Sequence, residues 1–491
     1  QASGDLLGEP RPISHPVKFF EKGDRPLEII TSRQWFIKTV DYRDELLARG
    51  RELQWHPEYM RHRYESWVNG LVGDWCISRQ RFFGVPFPVW YPIGADGIVR
   101  YDRPLVPSEA RLPLDPSTDV PDGYTAQQRD QPGGFTGDPD VMDTWATSSL
   151  TPQVAGSWLS DPDLFARVFP MDLRPQAHEI IRTWLFSTVL RAHLEHDSLP
   201  WAHAAISGWV LDPDRKKMSK SKGNVITPMP VLEQHGADAV RYWAASARPG
   251  VDTAFDVGQM KVGRRLAIKI LNASRFALGT AAEGPASDAV TEPLDASMLL
   301  ALADLVDECT RAFDGYDYAR ALERAERFFW GFTDDYLELV KQRAYGALGD
   351  GPAGSARRAL TLALSTLLRL FAPHLPFVTE EVWSWWQEGS VHRAAWPEAD
   401  PLRAEATAAG ADAAVYPVAA EVLGAIRKAK SDAKVSMRAE VTEVRVADTA
   451  ARLAALVAAR DDVLGAGRAA ALSTTEGAAI AVEVDLAPVE G

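Results

Sequence analysis

Apolar and polar positions repeat along the chain in two rhythms. Between residues 176 and 196, His178, Ile181, Leu185, Val189 and Ala192 return to one side at steps of three and four, which predicts one helix. The same rhythm dominates from about 258 to 390. It predicts helices over 261–279, 296–312, 317–345, 353–370 and 376–388, with the Gly-, Pro- and Ala-containing 281–294 as a loop. Together these read as a helical bundle of about 130 residues. The two-residue rhythm is clearest at the end of the chain, where Ile480, Val482, Val484 and Leu486 alternate with Ala481, Glu483 and Asp485. A second strand-like run, Ala204 to Val210, enters a polar loop at Asp212, and Glu28-Ile29-Ile30-Thr31 is a short extended candidate.

The remaining text is punctuated differently. Residues 41–70 are charged, carry Trp and Tyr, and read as helical. Pro86 and Pro88 exclude a long helix over 85–90, and the Asp, Pro and Gly of 91–138 predict hairpins and loops. Val231-Leu232 opens a further helix that stops before Arg248-Pro249-Gly250. Residues 401–414 are Ala-rich and read as a linker; a helix at 415–430, a strand near 440–447 and a helix at 449–465 then lead to the last strand. Neither an internal repeat nor a sustained heptad pattern is present. The expected fold class is a multidomain α/β plus all-α protein.

Composition narrows the field. The 491 residues are 46% apolar and 24% charged, an ordinary globular balance. The formal charge of -14 argues against non-specific nucleic-acid binding as the main role, while leaving room for a local basic face that meets RNA. Cys76 and Cys309 are the only cysteines and form no Cys-x-x-Cys unit, so neither a disulfide framework nor a structural zinc site is expected. The apolar runs at 180–190 and 297–306 are too short or too broken to span a bilayer, and no signal peptide opens the chain. A reduced, cytoplasmic setting without membrane contact is the expectation.

The chemistry concentrates in one loop. Asp214 to Asn224 holds Arg215, Lys216, Lys217, Lys220 and Lys222 within eleven residues, with Ser219, Ser221 and Gly223 among them. A solvated basic loop would also look like this. Lysines are mobile point charges, however, and they suit a polyphosphate. When an α-phosphate is attacked and pyrophosphate leaves, lysines on a mobile loop can stabilise the charge that develops. The two serines can donate to phosphate oxygens or hold the loop closed. No Walker A run exists, and the Gly-rich loop and Asp-Phe-Gly unit of protein kinases are missing.

Lys217-Met218-Ser219-Lys220-Ser221 resembles the second signature of class I aminoacyl-tRNA synthetases. Four further segments in order resemble the valine-specific branch of that family: Ile77 to Arg81, Asp140 to Trp145, His178 to Trp184, and Phe371 to Phe377. The resemblance covers residues 1 to about 400 well and the last 90 weakly. It implies the end of an editing insertion over 1–30, the second half of a Rossmann-like catalytic domain over 31–257 and a helical anticodon-binding domain over 258–400; composition and periodicity add the linker 401–414 and a small α/β domain over 415–491.

The resemblance also implies roles. Lys217 and Lys220, with Ser219 and Ser221, would act on ATP phosphates. Backbone around Gly208, Trp209 and Val210 would hold adenine, and Ala177 and Glu179 would lie at the ribose. A carboxylate suits that position because it accepts from both ribose hydroxyls. Trp145 and Ile180 would be two walls of the valine pocket. Asp143 would orient backbone, and the roles of Arg79 and His178 stay open. Valine carboxylate would attack ATP to give valyl-adenylate and pyrophosphate, and tRNA(Val) would then take the valyl group, releasing AMP. Mg²⁺ would come with ATP, not from a protein metal cage. Lys261, Arg264, Arg265, Lys269 and Arg275 recur at helical spacing and would meet tRNA phosphates; a solvated charged helix reads the same way.

The pattern departs from the family at one place. No His-x-Gly-His, the family's first signature, occurs in the sequence, and most of the editing insertion is missing. A C-terminal piece of a longer, monomeric enzyme is the expectation, with a second polypeptide supplying the missing N-terminal half as the alternative. Such a piece would be inactive alone and would lack proofreading against threonine, which a pocket alone rejects only ~100-fold. An isoleucine-activating enzyme and a non-catalytic tRNA-binding protein are the rival functions.

Overall fold

The computed structural model describes residues 9, 11–19, 23–28, 30–282 and 284–488. The chain divides into two compact units. One is built from residues up to 50, 65–169 and 182–200, the other from 51–64, 170–181 and 201–491. The division falls elsewhere than the segments expected from sequence, since the chain passes from one unit to the other several times. Of the extended candidate at 28–31, Ile29 lies outside the described residues, and Glu28, Ile30 and Thr31 join no strand.

The first unit is made of short antiparallel pairs and loops. Phe36–Ile37 pairs with Trp75–Cys76, Ser78–Arg79 with Val141–Met142, and Trp90–Pro92 with Phe135–Gly137. The stretch between the last two strands is turns and 3-10 segments, as its Asp, Pro and Gly content predicts. Its core gathers Phe87, Val89, Trp90 and Phe135, with Leu185, Phe186, Val189 and Leu190 buried on the helix side. The expected helix over 176–196 is corrected. Gln176 and Ala177 end a strand, His178–Ile180 is a 3-10 turn, Ile181–Leu185 is a π turn, and only Phe186–His196 is α-helix. One extra residue in the π turn lets the apolar spacing continue while the backbone changes path.

The second unit opens on a parallel three-stranded sheet. Trp201–Ser207 lies between Gln54–His56 and Met171–Ala177, with Ala177 opposite Ser207 and Gln176 opposite Ile206. The expectation of helix over 41–70 therefore gives way to helices Arg43–Glu52 and Arg61–Asn69 with a strand between them. Val210–Leu211 adds a parallel pairing with Thr253–Ala254. The helix expected at 231 begins at Pro228, where proline fits the first turn, and Gly236 at φ +86° breaks it from Ala237–Ala245.

The bundle follows as helices Val257–Ala282, Pro293–Asp314, Tyr318–Gly331 continued through a π turn into Leu337–Ala344, Asp350–Phe371 and Pro376–Trp383. The linker expected at 401–414 is also corrected. Ala399–Ala408 is a helix whose Ala399, Leu402 and Ala406 are buried in the bundle core. Small residues there permit close helix packing, so alanine marks contact, not flexibility. After helix Val415–Asp432, a sheet places Val441–Asp448 between parallel Ala469–Glu476 and antiparallel Ala481–Leu486. The strand at 469–476 has no apolar alternation in sequence. The helix expected at 449–465 is two, Ala450–Ala458 and Arg460–Gly467.

A buried ionic knot ties this unit together. Arg343 donates to Asp295 at 2.6 Å and to Asp462 at 2.9 Å, while Ser355 and Tyr336 donate to Asp295 at 2.8 and 2.7 Å. With one guanidinium between two carboxylates, burial pushes the Asp462 carboxyl up to about 6. No helix among the described residues is long and apolar enough to cross a membrane.

Candidate active site

In open parallel sheets, ligands bind outside the carboxyl ends of the strands. In the second unit those ends are Ala177 and Ser207, and the residues that follow them are the 178–180 turn and Gly208-Trp209. Here the side chains converge. The Trp209 indole N–H donates to Glu179 Oε2 at 2.9 Å, and Lys217 Nζ donates to Glu179 Oε1 at 2.5 Å. Lys217 Nζ also stands 4.4 Å from the centre of the Trp209 ring, in cation–π range. Hydrogen bonding and charge from Lys217 hold the Glu179 carboxyl below its usual range.

Backbone and loop are fixed separately. Asp252 Oδ1 accepts from the Trp209 backbone N–H at 2.8 Å and lies 3.3 Å from His178 Nε2. A Cβ at position 208 would fall 2.3 Å from the carbonyl carbon and oxygen of Val251, so only glycine lets the two backbones approach this closely. The basic loop is closed at its base. Asn224 donates to Asp212 Oδ2 at 2.8 Å and to the Lys217 carbonyl at 3.2 Å, and its Oδ1 accepts from the Ser219 N–H at 3.0 Å. The Asn224 bond, with the Lys216 N–H at 2.8 Å, holds the Asp212 carboxyl below the ordinary carboxylate range. Lys220 is exposed in the 3-10 turn Lys220–Lys222, and Gly223 takes φ +69° to end it. Ser221 lies in that turn, and Ala177 and Ile180 are half-buried at either side of His178 and Glu179.

Sequence therefore names Glu179, Trp209 and Lys217, which meet in space. It misses Asp252 and the pinning role of Asn224. The loop motif includes Asn224, but only the fold shows which groups it ties, and nothing local distinguishes Asp252 from any exposed acid.

Trp145 lies in the first unit, on the helix Thr144–Ser148, half-buried. Asp143 caps that helix, accepting from the Trp145 N–H at 3.3 Å through one oxygen. Its other oxygen accepts from Arg79 at 2.7 Å and from the Trp75 indole at 3.2 Å. Ser187 donates to the Trp145 carbonyl at 3.2 Å. Trp145, Trp75, Trp67 and Phe186 line a cleft of about 660 Å³ in this unit, with Arg79 and Asp143 at its polar side. The role of Asp143 as a holder of local backbone thus has a geometric basis.

Residues 22–256 match the tRNA synthetases class I (I, L, M and V), and residues 295–446 match the anticodon-binding domain of tRNA ligases. The chain belongs to the class I aminoacyl-tRNA synthetases. It is 64% identical to the valine--tRNA ligase of Thermobifida fusca (strain YX), over 99% of this chain and 56% of that protein. It is 60% identical to that of Salinispora arenicola (strain CNS-205), over 97% of this chain and 58% of the relative. The chain thus spans little more than half the length of the curated relatives it matches. Two solved structures share the fold at low identity. The LeuRS–tRNA–LeuAMS complex of Agrobacterium radiobacter K84 has a TM-score of 0.53 at 22% identity, over 68% of this chain and 44% of that one. Mycobacterium tuberculosis methionyl-tRNA synthetase with methionyl-adenylate has a TM-score of 0.54 at 20% identity, over 74% and 64%.

The basic residues of helix Val257–Ala282 are divided. Lys261 and Arg265 are exposed, and Arg264, also exposed, donates to the Gln234 carbonyl at 3.3 Å. Lys269 is half-buried, pairs with Asp334 at 2.8 Å and lies over Trp330, while Arg275 lies 5.8 Å from the Trp385 ring centre. Among the described residues, no group of three or more His, Cys, Asp or Glu side chains is placed to hold a metal ion.

Proposed function

We propose that this chain is the part of a valine--tRNA ligase that carries the mobile-loop side of the nucleotide site and the tRNA-binding helices. The observation that carries the reading is the three-way contact of Glu179, Trp209 and Lys217 beyond the carboxyl ends of the parallel strands. Glu179 accepts from the ribose hydroxyls beside Ala177, and the backbone of Gly208, Trp209 and Val210 edges the adenine. Lys217 and Lys220 neutralise the charge that grows on pyrophosphate as valine carboxylate attacks the α-phosphate. Ser219 and Ser221 bond phosphate or hold the loop. Mg²⁺ arrives with ATP and supplies further charge. Trp145, on the cleft of the first unit, walls the valine side chain, and Lys261, Arg264, Arg265, Lys269 and Arg275 face tRNA(Val). No side-chain nucleophile is needed, because positioning and charge stabilisation lower the barrier. Identity of 60–64% to valine--tRNA ligases supports valine over isoleucine as substrate.

The test is ATP–pyrophosphate exchange by this chain completed with a His-x-Gly-His half, with valine, isoleucine and threonine side by side. Valine should exchange fastest. Lys217→Ala with Lys220→Ala should lower valine exchange at least ~100-fold and leave tRNA binding nearly unchanged. Exchange that prefers isoleucine, or that ignores the two lysines, would sink the reading.

A further inference from the structure

Both oxygens of Glu179 are engaged, one by the Trp209 indole and the other by Lys217. The indole side is stiff. Asp252 holds the Trp209 N–H, and the packing of Val251 against Gly208 holds the turn. The lysine side is not. Lys217 comes from the loop, both partners are roughly half exposed at 44% and 42%, and the bond is made by a long, freely rotating lysine side chain. The carboxylate proposed for the ribose is thus the group that holds the lysine proposed for the phosphates.

We propose that Glu179 is also a positioning residue for Lys217, holding the lysine against Trp209 until phosphate draws it off, so that ribose and phosphate bind cooperatively. The inference rests on the ATP reading above. A polyphosphate carries more negative charge than one carboxylate, so it takes the ammonium. The vacated Oε1 then accepts a ribose hydroxyl. Before that exchange, Lys217 competes with the hydroxyls for the same oxygen. The competition sets a sign that simple phosphate contact does not: removing the lysine should improve binding of a ligand that has ribose and no phosphate.

The experiment is calorimetric titration of this chain completed with a His-x-Gly-His half, using adenosine, ATP, and adenosine in saturating inorganic pyrophosphate. For Lys217→Met, adenosine affinity should rise about three- to tenfold and ATP affinity should fall about tenfold or more. Pyrophosphate should tighten adenosine binding to the native chain and have no such effect on Lys217→Met. In Glu179→Gln, adding Lys217→Met should change adenosine affinity little, because the hold is already gone. A gain of affinity on truncation is a readout that structural damage does not produce. Unchanged adenosine affinity with a fall for ATP would overturn the holding role and leave the phosphate contact standing. If no variant binds adenosine or ATP, the nucleotide reading itself fails, and this inference with it.

Discussion

His374 shows how one buried side chain can set the acid response. It stacks on Phe313 with ring centres 5.5 Å apart, and its Nε2 has no hydrogen-bond partner among the described residues. Burial first, and the Arg241 charge second, pull its imidazole down from 6.5 to about 4. Folded chains therefore keep it neutral where unfolded chains already hold a proton. The resulting stability is fully present above pH 6.5 and is lost as pH falls through the window to about 4. By pH 4.5 the loss should reach about 2 kcal/mol. His374→Phe keeps a ring on Phe313 and removes the proton site. Urea unfolding at pH 7 and pH 4.5 should show a smaller acid loss for the variant; an equal loss would place the titration elsewhere. At this scale the sequence is unevenly legible. Lys217 and Glu179 are visible because their chemistry sits in recognisable motifs. Asp252 and Asn224 act through partners brought near by folding, and no spacing rule announces them, whereas the cap at Asp143 is local and readable.

Among the elements, the helix Ala399–Ala408 separates composition from role. Alanine content suggests a spacer, yet Leu402 and Ala406 lie in the bundle core. Leu402→Ala should cost about 2–4 kcal/mol, measured by denaturant unfolding, whereas a true spacer would tolerate it. Rhythm failed in the same physical way elsewhere. The strand at 469–476 is pinned by its parallel partner at 441–448, not by its own apolar alternation. The helix predicted over 176–196 loses its start to sheet pairing at Gln176 and Ala177. Long amphipathic helices survive this override because each buries a whole stripe, and all five bundle helices lie near their predicted spans. On the helix Val257–Ala282, exposed Arg264 and Arg265 differ from Lys269, which Asp334 already engages. Replacing both arginines with alanine should weaken tRNA binding and flatten the slope of log affinity against log salt by about one to two. An unchanged slope would assign the RNA contact to other cations.

Across the whole molecule, charge is used in two opposite settings. The knot of Arg343, Asp295 and Asp462 is sealed from solvent and joins helices of the bundle to the C-terminal α/β segment. Arg343→Met should destabilise by about 3–5 kcal/mol, since two carboxylates would be left buried without a counter-charge. The basic loop is the reverse: five cations stand on an exposed segment whose two ends are tied through Asn224 to Asp212 and Ser219. Trypsin cuts after lysine and arginine, and surface loops are its preferred sites. Within the folded part of the chain, the earliest nick should therefore fall between 215 and 222. Strand pairing of Val210–Leu211 with Thr253–Ala254 spans the nick, so the cut protein should still elute as one species and separate only in denaturant. ATP should slow that cut, which makes the rate of proteolysis a direct gauge of how often the loop is occupied.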